Sequence, residues 1–161
     1  MKNIKTLLNM LTLLLLTSCN TYAQDLEVGE VVSGVPTITV DKPSLMTTYS
    51  ANLLTASGLN YNFTDVTIEQ HIELEDTIHY LLFVGTDDSS NNAKSSMIAS
   101  TSVVGGTTIF VISGKASCST SDCMLDPDHC IPGHTFNTCI PCLNPTVDKC
   151  TRTISTYNMC R

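Results

Sequence analysis

Asp65-Val-Thr-Ile-Glu-Gln-His-Ile-Glu-Leu-Glu75, followed at once by Asp76-Thr-Ile-His-Tyr-Leu-Leu-Phe-Val84, decides the fold class of this 161-residue chain. In the first half Val66, Ile68, Ile72 and Leu74 alternate with Asp65, Thr67, Glu69, His71, Glu73 and Glu75. A period of two predicts a half-buried strand with one wet, acidic face. Asp76-Thr77 reads as the turn, and Ile78 to Val84 is apolar on both faces, which predicts a central strand.

Upstream, Thr37-Ile38-Thr39-Val40 suits a short first strand. Asp41 can cap free amides and Pro43 suits a first helical turn. Leu45, Met46, Tyr49, Leu53 and Ala56 then fall on one helical face, with Gly58 as the stop. Downstream, Gly85 to Ser96 reads as a polar loop and Met97 to Val104 as a third strand. Gly105-Gly106 makes a tight hairpin turn, and Thr108 to Ser113 closes the sheet. The expectation is an α+β domain, one helix packed on a four-stranded antiparallel meander.

From Pro43 to Ser113 this order resembles the cystatin-like half-roll, a resemblance of topology. Inhibitory cystatins carry Gln-x-Val-x-Gly in the first hairpin. The corresponding residues here are Gln70-His71-Ile72-Glu73-Leu74, without the glycine. The resemblance therefore implies a fold and not protease inhibition.

The chain opens with Lys2 and Lys5 ahead of an apolar run, Leu7 to Leu16, too short to span a bilayer. That pattern is an export signal. Leu16-Thr17-Ser18-Cys19 resembles the lipobox of bacterial lipoproteins. The resemblance implies a diacylglyceryl group (palmitate-type acyl chains) on the Cys19 thiol and a membrane anchor in the cell envelope, such as the outer membrane. Thr21-Tyr22-Ala23 before Gln24 is a competing small-residue cleavage site, which would leave a soluble secreted or periplasmic protein. The expected organisation is a signal peptide over 1–18, an acylated tether over 19–30, the α+β domain over 31–117 and a cysteine-rich extension over 118–161.

The extension holds seven of the eight cysteines: Cys118, Cys123, Cys130, Cys139, Cys142, Cys150 and Cys160. It has few long apolar residues and four prolines (Pro127, Pro132, Pro141, Pro145), so covalent links or a metal must offset its chain entropy. Export permits disulfides, and a secreted cysteine cluster reads as a disulfide framework. Seven is odd, so one thiol is left over or pairs with a second chain to form an oligomer. Three bonds drawn from seven cysteines allow about a hundred connectivities. Cys130-Ile-Pro-Gly followed by Cys139-Ile-Pro-Cys142 is similar to short modules of receptor-type cysteine-rich ectodomains. That resemblance implies Cys130 with Cys139 and Cys142 with Cys150.

Other chemistry is thinner. His129, Cys130, His134, Cys139 and Cys142 supply nitrogen and sulfur at spacings a tetrahedral zinc could use, although Cys130 and His134 flank a Pro-Gly turn. Cys139-Ile-Pro-Cys142 could be a thioredoxin-type redox pair, but Asn144-Pro145 follows where a helix should start. Asp122, Asp126 and Asp128, like Asp87 and Asp88, read as solvated acids or weak calcium ligands. No serine-hydrolase elbow, phosphate loop or His-Glu-x-x-His occurs. The net charge of −7, more negative once Lys2 and Lys5 are removed, opposes nucleic acid and anionic membrane surfaces. The sequence thus predicts a lipid-anchored envelope protein with a binding or structural role, no catalytic site and no cofactor. A protein or glycan surface is its expected partner. The competing expectation is a zinc-binding or thiol-redox protein that uses the tail.

Overall fold

The computed structural model describes residues 25–113, 116–135 and 138–154. The signal run, Cys19, the cleavage positions and Cys160 lie outside them. The element order is β1 (Leu26–Val32), β2 (Val35–Ile38), α1 (Lys42–Ser57), β3 (Tyr61–Glu73), β4 (Asp76–Asp87), β5 (Asn92–Val104), β6 (Thr107–Ile112), β7 (Ala116–Thr120) and β8 (Thr151–Ile154). No helix among the described residues is long and apolar enough to cross a membrane.

The helix forms where its caps predict. The Asp41 carboxylate accepts from the Ser44 amide at 2.9 Å, Pro43 sits in the first turn, and Gly58 ends the helix at φ 73°. Leu45, Tyr49 and Leu53 are its buried residues.

The sheet departs from the expected four-stranded half-roll. Of the described residues 52% are strand and 13% helix, and the antiparallel order β2-β1-β6-β5-β4-β3 nearly closes into a six-stranded, barrel-like sheet. Two misread segments account for the difference. Leu26 to Glu30, within the expected tether, belongs to β1, which pairs with β6 (Leu26↔Ile112 to Glu30↔Ile109) and with β2. The expected loop from Gly85 to Ser96 shrinks to a turn at 88–91, because β4 runs on to Asp87 and β5 starts at Asn92.

Strand β5 is the spine of the molecule. One edge pairs with β4 along Asn92 to Ala99. The other edge pairs first with β7 (Lys94↔Thr120 to Met97↔Ser117) and then with β6 (Ser100↔Val111 to Val104↔Thr107). The sheet therefore forks: β6 leads to β1 and β2, while β7 leads to β8. The cysteine-rich segment is consequently stitched into the sheet at both ends instead of trailing behind it.

Opposed residues of an antiparallel pair share a face, so the registers divide the side chains into two layers. Val66, Ile68, Leu81, Phe83, Met97, Ala99 and Phe110 join Leu45, Tyr49 and Leu53 in the main core. Tyr49 stacks on Phe83 with centroids 4.0 Å apart. Burying each such side chain contributes about 1.5–3 kcal/mol. The same layer carries buried hydroxyls, satisfied in a chain from Tyr49 Oη to Ser95 Oγ at 2.7 Å and on to Ser119 Oγ at 2.6 Å. On the opposite face Ile78, Tyr80, Lys94, Ser96, Ile98 and Cys118 are also buried. There the Lys94 ammonium donates to the Asp126 carbonyl, and the Ser96 hydroxyl donates to the Cys130 carbonyl at 3.2 Å. The central strands are thus covered on one face by the helix and on the other by the disulfide-linked segment 121–150.

Candidate functional site

Three disulfides hold that covering segment: Cys118–Cys139, Cys123–Cys142 and Cys130–Cys150. First joins fourth, second joins fifth and third joins sixth, so each closed loop overlaps the other two. The pairing implied by the receptor-type resemblance, Cys130 with Cys139 and Cys142 with Cys150, is corrected. The antiparallel bridge Pro132↔Cys139 and the amide bonds from Cys130 to Ile140 and from Ile140 to Ile131 do bring 130–132 beside 139–140. The sulfurs of Cys130 and Cys139, however, go to Cys150 and to Cys118 on β7. Cys118, Cys123, Cys130 and Cys142 are buried as a cluster of their own, with Cys139 and Cys150 packed against it. Such a framework points to an oxidising, exported environment.

The five residues of the zinc reading are not assembled into one site. Cys130, Cys139 and Cys142 belong to three different disulfides and present no thiolate. The His129 ring lies 3.7 Å from Asp126, whereas His134 contacts Asp76 at 3.0 Å. Among the described residues no group of three His, Cys, Asp or Glu could hold a metal. Cys139 and Cys142 are not bonded to each other, so the Cys-x-x-Cys spacing forms no redox disulfide. The loop aspartates have protein partners. Asp87 accepts from the Ser89 and Asn91 amides, Asp88 from the Asn60 side chain, and Asp122 from the Lys149 amide.

The unexplained chemistry lies at one end of the sheet, where three hairpins turn. Their central residues, Ser33-Gly34, Leu74-Glu75 and Gly105-Gly106, all have positive φ (52° and 82°, 52° and 73°, 58° and 86°). This is the primed turn that matches strand twist. The registers place all three turns at the same end of the sheet. The β1–β6 ladder climbs from Leu26↔Ile112 to Glu30↔Ile109, towards the end where Val104 pairs with Thr107. The β4–β5 ladder runs the same way and stops at His79↔Ala99, just short of the Leu74-Glu75 turn.

Each tip displays aliphatic side chains: Val32 and Val35, Ile72 and Leu74, Val103 and Val104. Ile72, Leu74 and Val103 are 71%, 79% and 70% exposed. Among the described residues, six of the eleven large apolar side chains that stand in solvent are at these tips. The sequence assigned Ile72 and Leu74 to the buried face. Two facts explain the error. The register runs unbroken from Asp65↔Val84 to Glu73↔Asp76, so Ile72 keeps the phase of the buried Val66 and Ile68 but lies beyond the core, and Leu74 stands in the turn itself. Leu74 carries a second cost, since a left-handed conformation is unfavourable for a side chain with a Cβ by about 1–2 kcal/mol. A leucine that is both strained and exposed contributes little to the fold.

Beyond His79↔Ala99 the strands β4 and β5 separate, and a cleft of about 390 Å³ opens between them. Asp76, Thr77, Ile78 and His79 line one wall, Ile98 to Thr101 the other, and His134 of the disulfide segment closes one side. Asp76 Oδ2 lies 3.0 Å from His134 Nδ1, and Glu73 accepts from the His134 amide at 2.6 Å. Burial pushes the His79 imidazole below its ordinary range, favouring the neutral ring beside Phe110. Of the zinc set only His134 reaches this place. The remaining lining residues were not singled out in the sequence, where pairing ends and forks leave no mark. The arrangement combines apolar projections, acidic side chains and a recess at one end of the sheet.

Comparison with protein-family models, with curated proteins and with solved structures finds no match to the chain.

Proposed function

We propose that this chain is an exported envelope protein, anchored to a membrane by acylation of Cys19, that acts as a binding module without chemistry of its own. The observation that carries the reading is the exposure of strained, apolar hairpin tips at one end of a disulfide-held sheet. Strand β1 begins at Leu26, at the opposite end from those tips. A tether running from Cys19 into Leu26 therefore presents the tips away from the membrane, where a partner can reach them. Three closed disulfides suit a protein that works outside the reducing cytoplasm.

Fractionation of the native host tests the anchor. The wild-type protein is expected in the membrane fraction and Cys19→Ala in the soluble fraction, both with three disulfides. Wild-type protein recovered as a soluble chain beginning near Gln24 would overturn the anchored reading.

A further inference from the structure

We infer that the three hairpin tips form one docking surface for a protein partner whose contact patch is apolar at its centre and ringed by lysine or arginine. The inference rests on the reading of this chain as a binding module and adds the place and the kind of partner.

Three observations carry it. First, Val32, Val35, Ile72, Leu74, Val103 and Val104 all stand in solvent at one end of the sheet. Isolated exposed aliphatics are ordinary, but six from three separate hairpins at one end of the sheet mark an interaction surface. Second, Leu74 and Glu75 hold a left-handed turn that asparagine and glycine would form more readily. Strain retained at an exposed apolar tip is retained for contact rather than for folding.

Third, the charge has one sign. Glu30 lies two residues from Val32 on the first tip, and Glu73, Glu75 and Asp76 lie within two residues of Leu74 on the second. No lysine or arginine occurs from Leu26 to Ile38 or from Tyr61 to Asp87. Lys94 of the third hairpin lies at its far end and points into the disulfide segment. An acidic rim selects a basic one and sets the register of association. A second copy docked tip to tip would set carboxylates against carboxylates, and an anionic lipid surface would be repelled likewise. The cleft beside Asp76 and His79, at about 390 Å³, has room for a large side chain of the partner as its anchor.

The probe is a random peptide library panned on the immobilised oxidised protein, with the selected peptides then measured by titration. Expected are peptides that pair aliphatic or aromatic residues with lysine or arginine. Their affinity should fall about tenfold or more in Ile72→Ser/Leu74→Ser and in Val103→Ser/Val104→Ser. It should also fall in Glu73→Gln/Glu75→Gln and as salt is raised. All substituted residues except Glu73 are exposed, so an unchanged melting temperature and three intact disulfides show that the variants fold. Val103→Ser/Val104→Ser leaves the Glu73 contact to His134 untouched.

Peptides that bind but ignore every tip variant would overturn the docking surface while leaving a binding module standing. So would selection of acidic or purely apolar peptides. A concentration-dependent dimer abolished by the tip variants would overturn it in favour of self-association. Binding to phosphatidylcholine vesicles that the same variants abolish would overturn it in favour of a lipid surface. A library that yields no binder at all overturns both the surface and the binding reading.

Discussion

Replacing Leu74 by asparagine together with Glu75 by glycine should make the protein more stable. Both residues sit at positive φ, 52° and 73°, in the turn between β3 and β4. Each L-residue with a Cβ loses about 1–2 kcal/mol in that region. Asparagine tolerates it through its short polar side chain, and glycine has no Cβ to clash. Glycine returns about 0.5–1 kcal/mol through the greater freedom of its unfolded chain. Little packing is lost, because Leu74 is 79% exposed. The net expectation is a gain of about 1–2 kcal/mol, or a rise of roughly 3–7 °C in Tm for a domain of this size. Urea titration should show a higher midpoint with an unchanged slope, since the surface exposed on unfolding hardly alters. A Tm that falls, or moves by less than about 1 °C, would mean that the turn is not left-handed or that Leu74 has a stabilising contact. Either result would refute the claim that this tip is maintained against the interest of the fold.

Removing one disulfide with Cys130→Ala/Cys150→Ala opens a loop of 20 residues and should cost about 3 kcal/mol, lowering Tm by roughly 10 °C. An unchanged Tm would show that the segment is held by other means. Burial pushes the Tyr49 phenol up to about 12 from an ordinary 10, so the fold favours the protonated form. Stability should be full below pH 10 and then fall by about 1.4 kcal/mol per unit as pH rises towards 12. Tyr49→Phe should remove that share of the alkaline slope, leaving the share of Tyr80, which burial also pushes up to about 12, and should cost about 1 kcal/mol at neutral pH through the lost bond to Ser95, both measurable by urea titration across pH. Gly29→Ala should cost about 1–3 kcal/mol, because a Cβ there meets the Thr37 carbonyl and comes within 2.7 Å of Ile68 Cδ1; thermal melting gives the value.

Local chemistry made the helix legible: Asp41, Pro43, the Leu45/Tyr49/Leu53 face and Gly58 signal within their own segment. The pairing of Gly105 with Gly106 and the apolar run of β4 were readable for the same reason. What depends on distant partners was not. Leu26 to Glu30 looks like an acidic tether until β6 supplies its other half. The polar residues Ser95 and Ser96 suggest a loop, yet Tyr49 and Ser119 satisfy the first while the disulfide segment covers the second. The regular alternation from Val66 to Leu74 hid an overhanging tip, since periodicity reports which residues share a face and not how far the core extends beneath them. Cysteine spacing fixed the count of candidate bonds, but their connectivity depended on β7 placing Cys118 against the segment that carries Cys130 and Cys139. The cleft exists only because β5 changes partners midway, a property of the sheet rather than of any motif.

The most direct test of the account is the intact mass of the protein from its native host, taken denatured and unreduced after free thiols are blocked. The account predicts a chain beginning at Cys19 with added acyl mass, and six cysteines from Cys118 to Cys150 oxidised in three bonds. A chain beginning near Gln24 without acyl mass, with four or more blocked thiols, would contradict both the anchor and the framework that holds the tips in place.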